Sequence, residues 1–354
     1  MANTTEVVTI TMEVFTCVND SSGMCDNSTE TPDGDVTTLT GWDIALRVLY
    51  ALIGSSGILG NGLVCFVFIS KRKSFSSITN LLILNQSMID FFDSIVFLLI
   101  RFGPVVLSDE VSAWDEFVCR FWLSEYLMWV LFIASTVNLV FVSLERYLAI
   151  CHPVKHRNFL TKRLAKLGMA LVWLIGLTYQ SYWPAIQFYT LGTCYPSWPS
   201  VILQRTMGVV LFLCEFLLPL SVMTFSYVKI IIALSGRGKM NCKTTNTFQK
   251  AKKNVTTTLC LVFMSYVICW TPTEFTFLLF NLGRDYDFSS TTHQIVTLLV
   301  LCNMCVNPFI YAFKYDHFKK HAKAMFCRCC RGNRVDVENS LATLEPPAVS
   351  SHVP

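Results

Sequence analysis

Between Tyr126 and Leu144 the chain runs nineteen residues without a formal charge and then sets Glu145 and Arg146 side by side. A helix rises 1.5 Å per residue, so such a run covers about 28 Å, close to the hydrocarbon thickness of a bilayer. Inside lipid every backbone polar group must find its partner within the protein, which leaves helices and closed barrels as the only spanning structures. The stretch therefore reads as a spanning helix that enters near Cys119 and leaves at Arg146. Just beyond it lie His152, Pro153, Lys155, His156 and Arg157, a basic cluster of the kind retained on the cytoplasmic side.

Six further apolar runs have spanning length. Together the seven fall at about 42–69, 79–107, 119–150, 164–188, 201–234, 254–280 and 291–313. With 53% hydrophobic and 15% charged residues and a mean hydropathy of +0.49, the whole chain has the composition of a membrane protein. The fold class expected is an all-α, seven-transmembrane helix bundle (42–313), followed by a short amphipathic eighth helix with a cysteine cluster (314–330). All 28 Lys and Arg except Arg47, Arg101, Arg120, Arg205 and Arg284 fall at one set of helix ends and loops. The positive-inside rule then puts the N terminus outside the cell and the C terminus in the cytoplasm, a multi-pass arrangement in the cell membrane.

The first forty residues carry seven acids and no Lys or Arg, so they lack the basic start of a cleaved signal peptide. They read as a disordered extracellular tail (1–41) with three N-glycosylation acceptors, Asn3, Asn19 and Asn27, and with Cys17 and Cys25 either bonded to each other or free. After the seventh run, Phe318, Ala322 and Met325 recur at helical spacing among Lys319, Lys320, His321 and Lys323. That pattern predicts a basic amphipathic helix on the inner leaflet. Cys327, Cys329 and Cys330 follow it as candidate palmitoylation sites, and 331–354 reads as a disordered cytoplasmic tail.

Ionisable and amide groups inside spans are costly and mark function. Asp90 lies near the middle of the second run, with Asn61, Ser135, Asn138, Asn303 and Asn307 on others. Oxygens converging from Asp90, Ser135 and Asn303 would suit a small hard cation; the same groups also suit a plain hydrogen-bond network between helices. Pro184, Pro219, Pro272 and Pro308 each remove a helix hydrogen bond, as hinges or simply as bends. In the outer half Arg101, Glu125, Gln180, Glu215 and Glu274 mix with Tyr126, Trp129, Tyr182, Trp183, Phe212, Phe275 and Phe277, the makings of an aromatic pocket with a few fixed charges. Trp183 and Trp198 also suit the role of interface anchors. No nucleotide-binding, metalloprotease or dinucleotide motif occurs, so the chain is not expected to be an enzyme, and neither nucleic acid nor a cofactor beyond a sodium ion is expected.

These residues together resemble the rhodopsin-like family of seven-helix G-protein-coupled receptors. The likeness runs over about 42–330 and is carried by Gly60-Asn61, Leu84-Asn85 with Asp90, Glu145-Arg146-Tyr147, Trp173, Pro219 with Tyr227, Cys269-Trp270-Thr271-Pro272 and Asn307-Pro308-Phe309-Ile310-Tyr311. It implies a disulfide between Cys119 and Cys194. It also implies an allosteric sodium site at Asp90, Ser135, Asn303 and Asn307, with Trp270 as a lever under the ligand. Glu145, Arg146, Tyr147, Tyr227, Pro272, Pro308 and Tyr311 become the activation and coupling groups.

Two departures stand out. Cys119 and Arg146 are 27 positions apart where the family keeps roughly 25, which predicts an added turn or a bulge in the outer third helix. Lys252 stands where many members carry an acid that holds the arginine, which predicts some signalling without ligand.

By the same resemblance, Met128 occupies the place of the amine receptors' aspartate and Leu301 that of the opsins' lysine. The ligand pocket expected is Arg101, Glu125, Met128, Trp129, Gln180, Glu215, Trp270, Glu274 and Phe277, of a peptide-receptor kind. In it the acids would favour a cationic ligand group and Arg101 a carboxylate or amidated end. The expected partners are an extracellular peptide, a heterotrimeric G protein, arrestin and membrane lipids. The competing readings are a seven-helix ion-coupled transporter or channel, and a receptor of this family for a non-peptide ligand.

Overall fold

The structure is a computed structural model, and it describes residues 41–104, 112–190, 193–237, 246–284, 286–287 and 290–326. Asn3, Asn19, Asn27, Cys17 and Cys25 lie outside these residues, as do Cys327, Cys329 and Cys330. Seven long helices follow one another: Gly41–Ser70, Ile78–Phe102, Ala113–Cys151, Lys162–Tyr179, a fifth running from Val201 to Arg237, Asn246–Asn281 and Thr291–Lys314. Six are long and apolar enough to cross a membrane. The fourth has 18 residues and begins with Lys162, Arg163 and Lys166, which dilute its apolar stretch. Outward-facing Leu52, Leu59, Ile202, Ile232 and Ile268 form part of the apolar belt that lipid would cover.

Local chemistry sets the helix starts. Ser77, Thr161, Ser200 and Ser290 each precede a span and accept a hydrogen bond from the backbone N–H three residues on, satisfying one of the donors a helix start leaves open. Glycines set how closely the first span sits. A Cβ on Gly57 would lie 2.1 Å from the Ser94 hydroxyl oxygen, and one on Gly60 2.9 Å from Pro308. The missing side chains let the first span lie directly on the second and seventh. Asn61 then donates to the carbonyls of Gly57 (3.0 Å) and Met304 (2.8 Å), and Trp42 donates to Gln294 at the outer end.

Three sequence boundaries are corrected by the fold. The fourth span ends at Tyr179; Pro184 lies in a separate turn, Tyr182–Ala185, and Phe188 in strand β1. Strand β1 (Gln187–Thr190) pairs antiparallel with β2 (Thr193–Pro196), Tyr189 opposite Cys194, so the bundle is all-α except for this hairpin. The third span is not one helix entering at Cys119. It starts at Ala113, passes through a π-helical turn (Val118–Leu123), breaks at Glu125 and resumes as Tyr126–Cys151. The eighth helix, Asp316–Phe326, follows the seventh after Tyr315, with Phe318 buried against the core.

Candidate functional site

Four polar layers run from the outer to the inner end of the bundle. At the outer end, Glu125 has φ of 57°, the left-handed conformation that costs a residue bearing a Cβ. Its carboxylate meets Arg101 at 2.7 Å, and the guanidinium lies 5.4 Å from the Tyr50 ring centre and 5.9 Å from that of Phe97. Arg101, expected from sequence to meet a ligand's carboxylate or amidated end, is paired with Glu125 of its own chain. The same break is tied down from other sides: Trp183 donates to the Ser124 carbonyl (2.8 Å), and Cys119 is bonded to Cys194 of the hairpin. Trp183 thus serves the loop architecture.

The second layer is the aromatic cluster beneath. Trp270 is buried and packs edge-on against Phe132 (5.1 Å), with Tyr266 one turn below it; Met128 is buried in the core and Trp129 half-buried against Phe132. Gln180 and Glu274 are buried, while Phe277 and Glu215 are half-buried. Glu215 sits in a second π-helical turn, Phe212–Leu217. The fifth and sixth spans meet here, where Tyr266 donates to the Glu215 backbone carbonyl (3.3 Å) and Phe212 packs against Phe275 (5.2 Å). The pocket residues thus divide into an outer ion pair and an inner acid pair. Phe132, Tyr179 and Tyr266 belong with the latter and were missed from sequence because an aromatic residue in a span carries no sign of which way it points.

The third layer centres on Asp90. Oδ1 accepts from Gln86 Nε2 (3.0 Å) and Ser135 Oγ (3.2 Å), and Oδ2 from Asn307 Nδ2 (2.8 Å). Asn138 donates to Gln86 Oε1 (2.8 Å) and accepts from Asn85 (2.9 Å), whose carbonyl takes the Trp173 indole N–H (3.1 Å). Asn303 is buried, with no hydrogen bond to Asp90 among the described residues, and Gln86 is a further partner of Asp90 that the sequence reading did not name. Gln86 was findable, standing one helical turn before Asp90 on the same face. Asp93, one turn after it, is also buried, with Oδ1 unbonded.

At the inner end Arg146 donates to Glu145 through Nε (2.6 Å) and Nη2 (2.7 Å), and also to the Thr79 hydroxyl. Glu145 further accepts from Thr79 (3.0 Å) and bonds to His156 (2.9 Å). Thr79 was not singled out from sequence, and His156 only as one of the basic cluster that follows the third span. Lys252 lies on the sixth helix, and its side chain is outside the described part. Tyr147 bonds to His152, and Tyr227 stacks on Phe263 at 5.2 Å. Tyr227 and Tyr311 are buried near one another. Beside Arg146 an open cavity of about 460 Å³ is lined by Ala149, Ile150, Pro153, His156, Arg157 and Leu160.

Residues 60–311 match the model of the 7 transmembrane receptor (rhodopsin family). The chain belongs to that family. The receptor is 30% identical over 311 residues to Galanin receptor 2a of Danio rerio, covering 86% of this chain and 83% of the relative. It is 28% identical over 315 residues to Galanin receptor type 3 of Homo sapiens (86% and 84%), and 28% identical over 291 residues to Galanin receptor 2b of Danio rerio (80% and 75%). The transporter and channel reading falls away: the chain belongs to a family of signalling receptors. Its four layers set an ion pair, an aromatic cluster with two acids, a polar core and an arginine in order along the bundle.

Proposed function

We propose that the receptor sits in the cell membrane with its N terminus outside, binds an extracellular peptide at the aromatic cluster around Trp270, and promotes nucleotide exchange on a heterotrimeric G protein at Arg146. The observation that carries this reading is the stacked order of the aromatic cluster, the Asp90 network and the Arg146–Glu145 cage along a single bundle. The names of the relatives, galanin receptors, support a peptide of that kind. Binding acts as a population shift: a ligand that prefers one packing of the helices over another moves the equilibrium toward it, and the G protein favours the same packing. Pro272 and Pro308 lie inside the sixth and seventh helices, where a missing backbone donor makes bending easier. Tyr227 and Tyr311 are near enough to regroup around Arg146 once Glu145 and Thr79 release it.

The Asp90 carboxylate, Ser135 Oγ and Asn307 would hold a sodium ion. The donor set fits, because Asn307 Oδ1 and Asn61 Oδ1 are both buried without a hydrogen bond. The ion would supply positive charge to the Asp90 carboxylate. Asn303, also buried, is the fourth residue proposed for the set. Arrestin and anionic inner-leaflet lipid complete the proposed partners, the lipid meeting the basic face of Asp316–Phe326.

The test is guanine-nucleotide exchange in membranes containing the receptor and a panel of G proteins, with galanin as the probe. Galanin-stimulated exchange is expected, together with ligand-free exchange above that of receptor-free membranes. No response to galanin or to a peptide library across the panel would discard the reading.

A further inference from the structure

We propose that Glu215 and Glu274 form a subsite for a guanidinium group on the extracellular ligand, an inference that rests on the receptor reading above. Glu274, on the sixth span, is 5% exposed. Glu215, on the fifth, has a fully buried Oε1 without a hydrogen bond. The two spans meet here: Tyr266, two turns before Glu274, donates to the Glu215 backbone carbonyl (3.3 Å), and Phe212 packs against Phe275 (5.2 Å). Among the described residues neither carboxylate is in an ion pair. Nearby arginines are placed elsewhere: Arg101 on Glu125 (2.7 Å), Arg120 on Glu116 (2.6 Å), and Arg205 beside Gly283.

Two carboxylates withdrawn from water near one another are unfavourable as charges unless a cation lies between them or they take up protons. Among the described residues the protein brings no cation to them, so a ligand cation is the partner that would hold both ionised. A second, separate observation points to the same occupant. Trp270 is 4% exposed and its indole N–H has no acceptor. Tyr266, Trp270 and Glu274 are spaced four apart and share one face of the sixth span, so this unmet donor lies one turn beneath the Glu274 carboxylate. An occupant with a cation above and an acceptor such as a peptide carbonyl below answers both. A guanidinium fits better than an ammonium: its planar fork offers separate N–H pairs to carboxylates on two helices, and it stacks against tyrosine rings.

The experiment measures thermal unfolding of the purified full-length receptor in detergent with phenylguanidine and with its neutral isostere phenylurea. Phenylguanidine is expected to raise the melting temperature and phenylurea to leave it unchanged. Glu215→Gln and Glu274→Gln should each weaken the phenylguanidine response about tenfold, as loss of one charge-assisted pair implies. Glu116→Gln should not. Glu274→Lys places a cation beside Glu215 and should raise the ligand-free melting temperature while abolishing the response, which keeps the test decisive if a glutamine variant folds poorly. Equal stabilisation by phenylurea, or an undiminished response in Glu215→Gln/Glu274→Gln, overturns the subsite. Galanin-stimulated exchange without a phenylguanidine shift removes the subsite alone; a phenylguanidine shift without exchange removes the G-protein reading alone.

Discussion

At the scale of single residues, Gln86 changes what Asp90 can do. Its amide donates to the Asp90 carboxylate and its carbonyl is held by Asn138, so part of the negative charge is answered by the protein before any ion arrives. Sodium should therefore raise the melting temperature of the wild-type receptor, and Asp90→Asn should lose that response. Gln86→Ala should respond more strongly than wild type while losing about 2 kcal/mol of sodium-free stability from its broken buried hydrogen bonds. Titrating sodium against potassium at constant ionic strength reads all three, and identical curves for wild type and Asp90→Asn would exclude the site. The importance of Asp90 was legible from its burial in an apolar run. That Gln86 bonds to it while Asn303, among the described residues, does not was not legible, because a side chain's rotation on its helix is set by neighbours from other spans.

Among the elements, the third span is the one whose sequence and structure differ most informatively. The extra spacing between Cys119 and Arg146 predicted a bulge, and the structure resolves it into the π-helical turn Val118–Leu123 followed by the left-handed Glu125. A π-turn adds a residue without ending the helix, so the inner half keeps its register while the outer half is re-aimed at the hairpin. Glu125 takes on an unfavourable φ and is held there by Arg101. Glu125→Ala keeps the strained backbone and loses the ion pair, whereas Glu125→Gly loses the ion pair and relieves the strain. The glycine variant should therefore be the more stable of the two by about 1 kcal/mol, read as the higher melting temperature. Equal stability would mean the break is not strained.

For the molecule as a whole, the uneven distribution of Lys and Arg fixes the proposed orientation. An antibody to an epitope placed before Asn3 should label intact cells, one to an epitope after Pro354 only permeabilised cells, and glycosidase should increase the mobility of the protein on a gel. Labelling of both ends in intact cells would overturn the topology and with it the signalling direction. Sequence by itself determined the seven helices, because a chain in lipid must satisfy its backbone internally and the apolar runs are therefore close to the helices themselves. It also set the family, through polar and proline residues that an apolar span tolerates at few positions. Only the tertiary structure decided which charges are spent and which are free. Arg101 and Glu125 neutralise each other while, among the described residues, Glu215 and Glu274 take part in no ion pair, and that difference depends on which helix faces meet across the bundle, a relation between residues far apart in the chain.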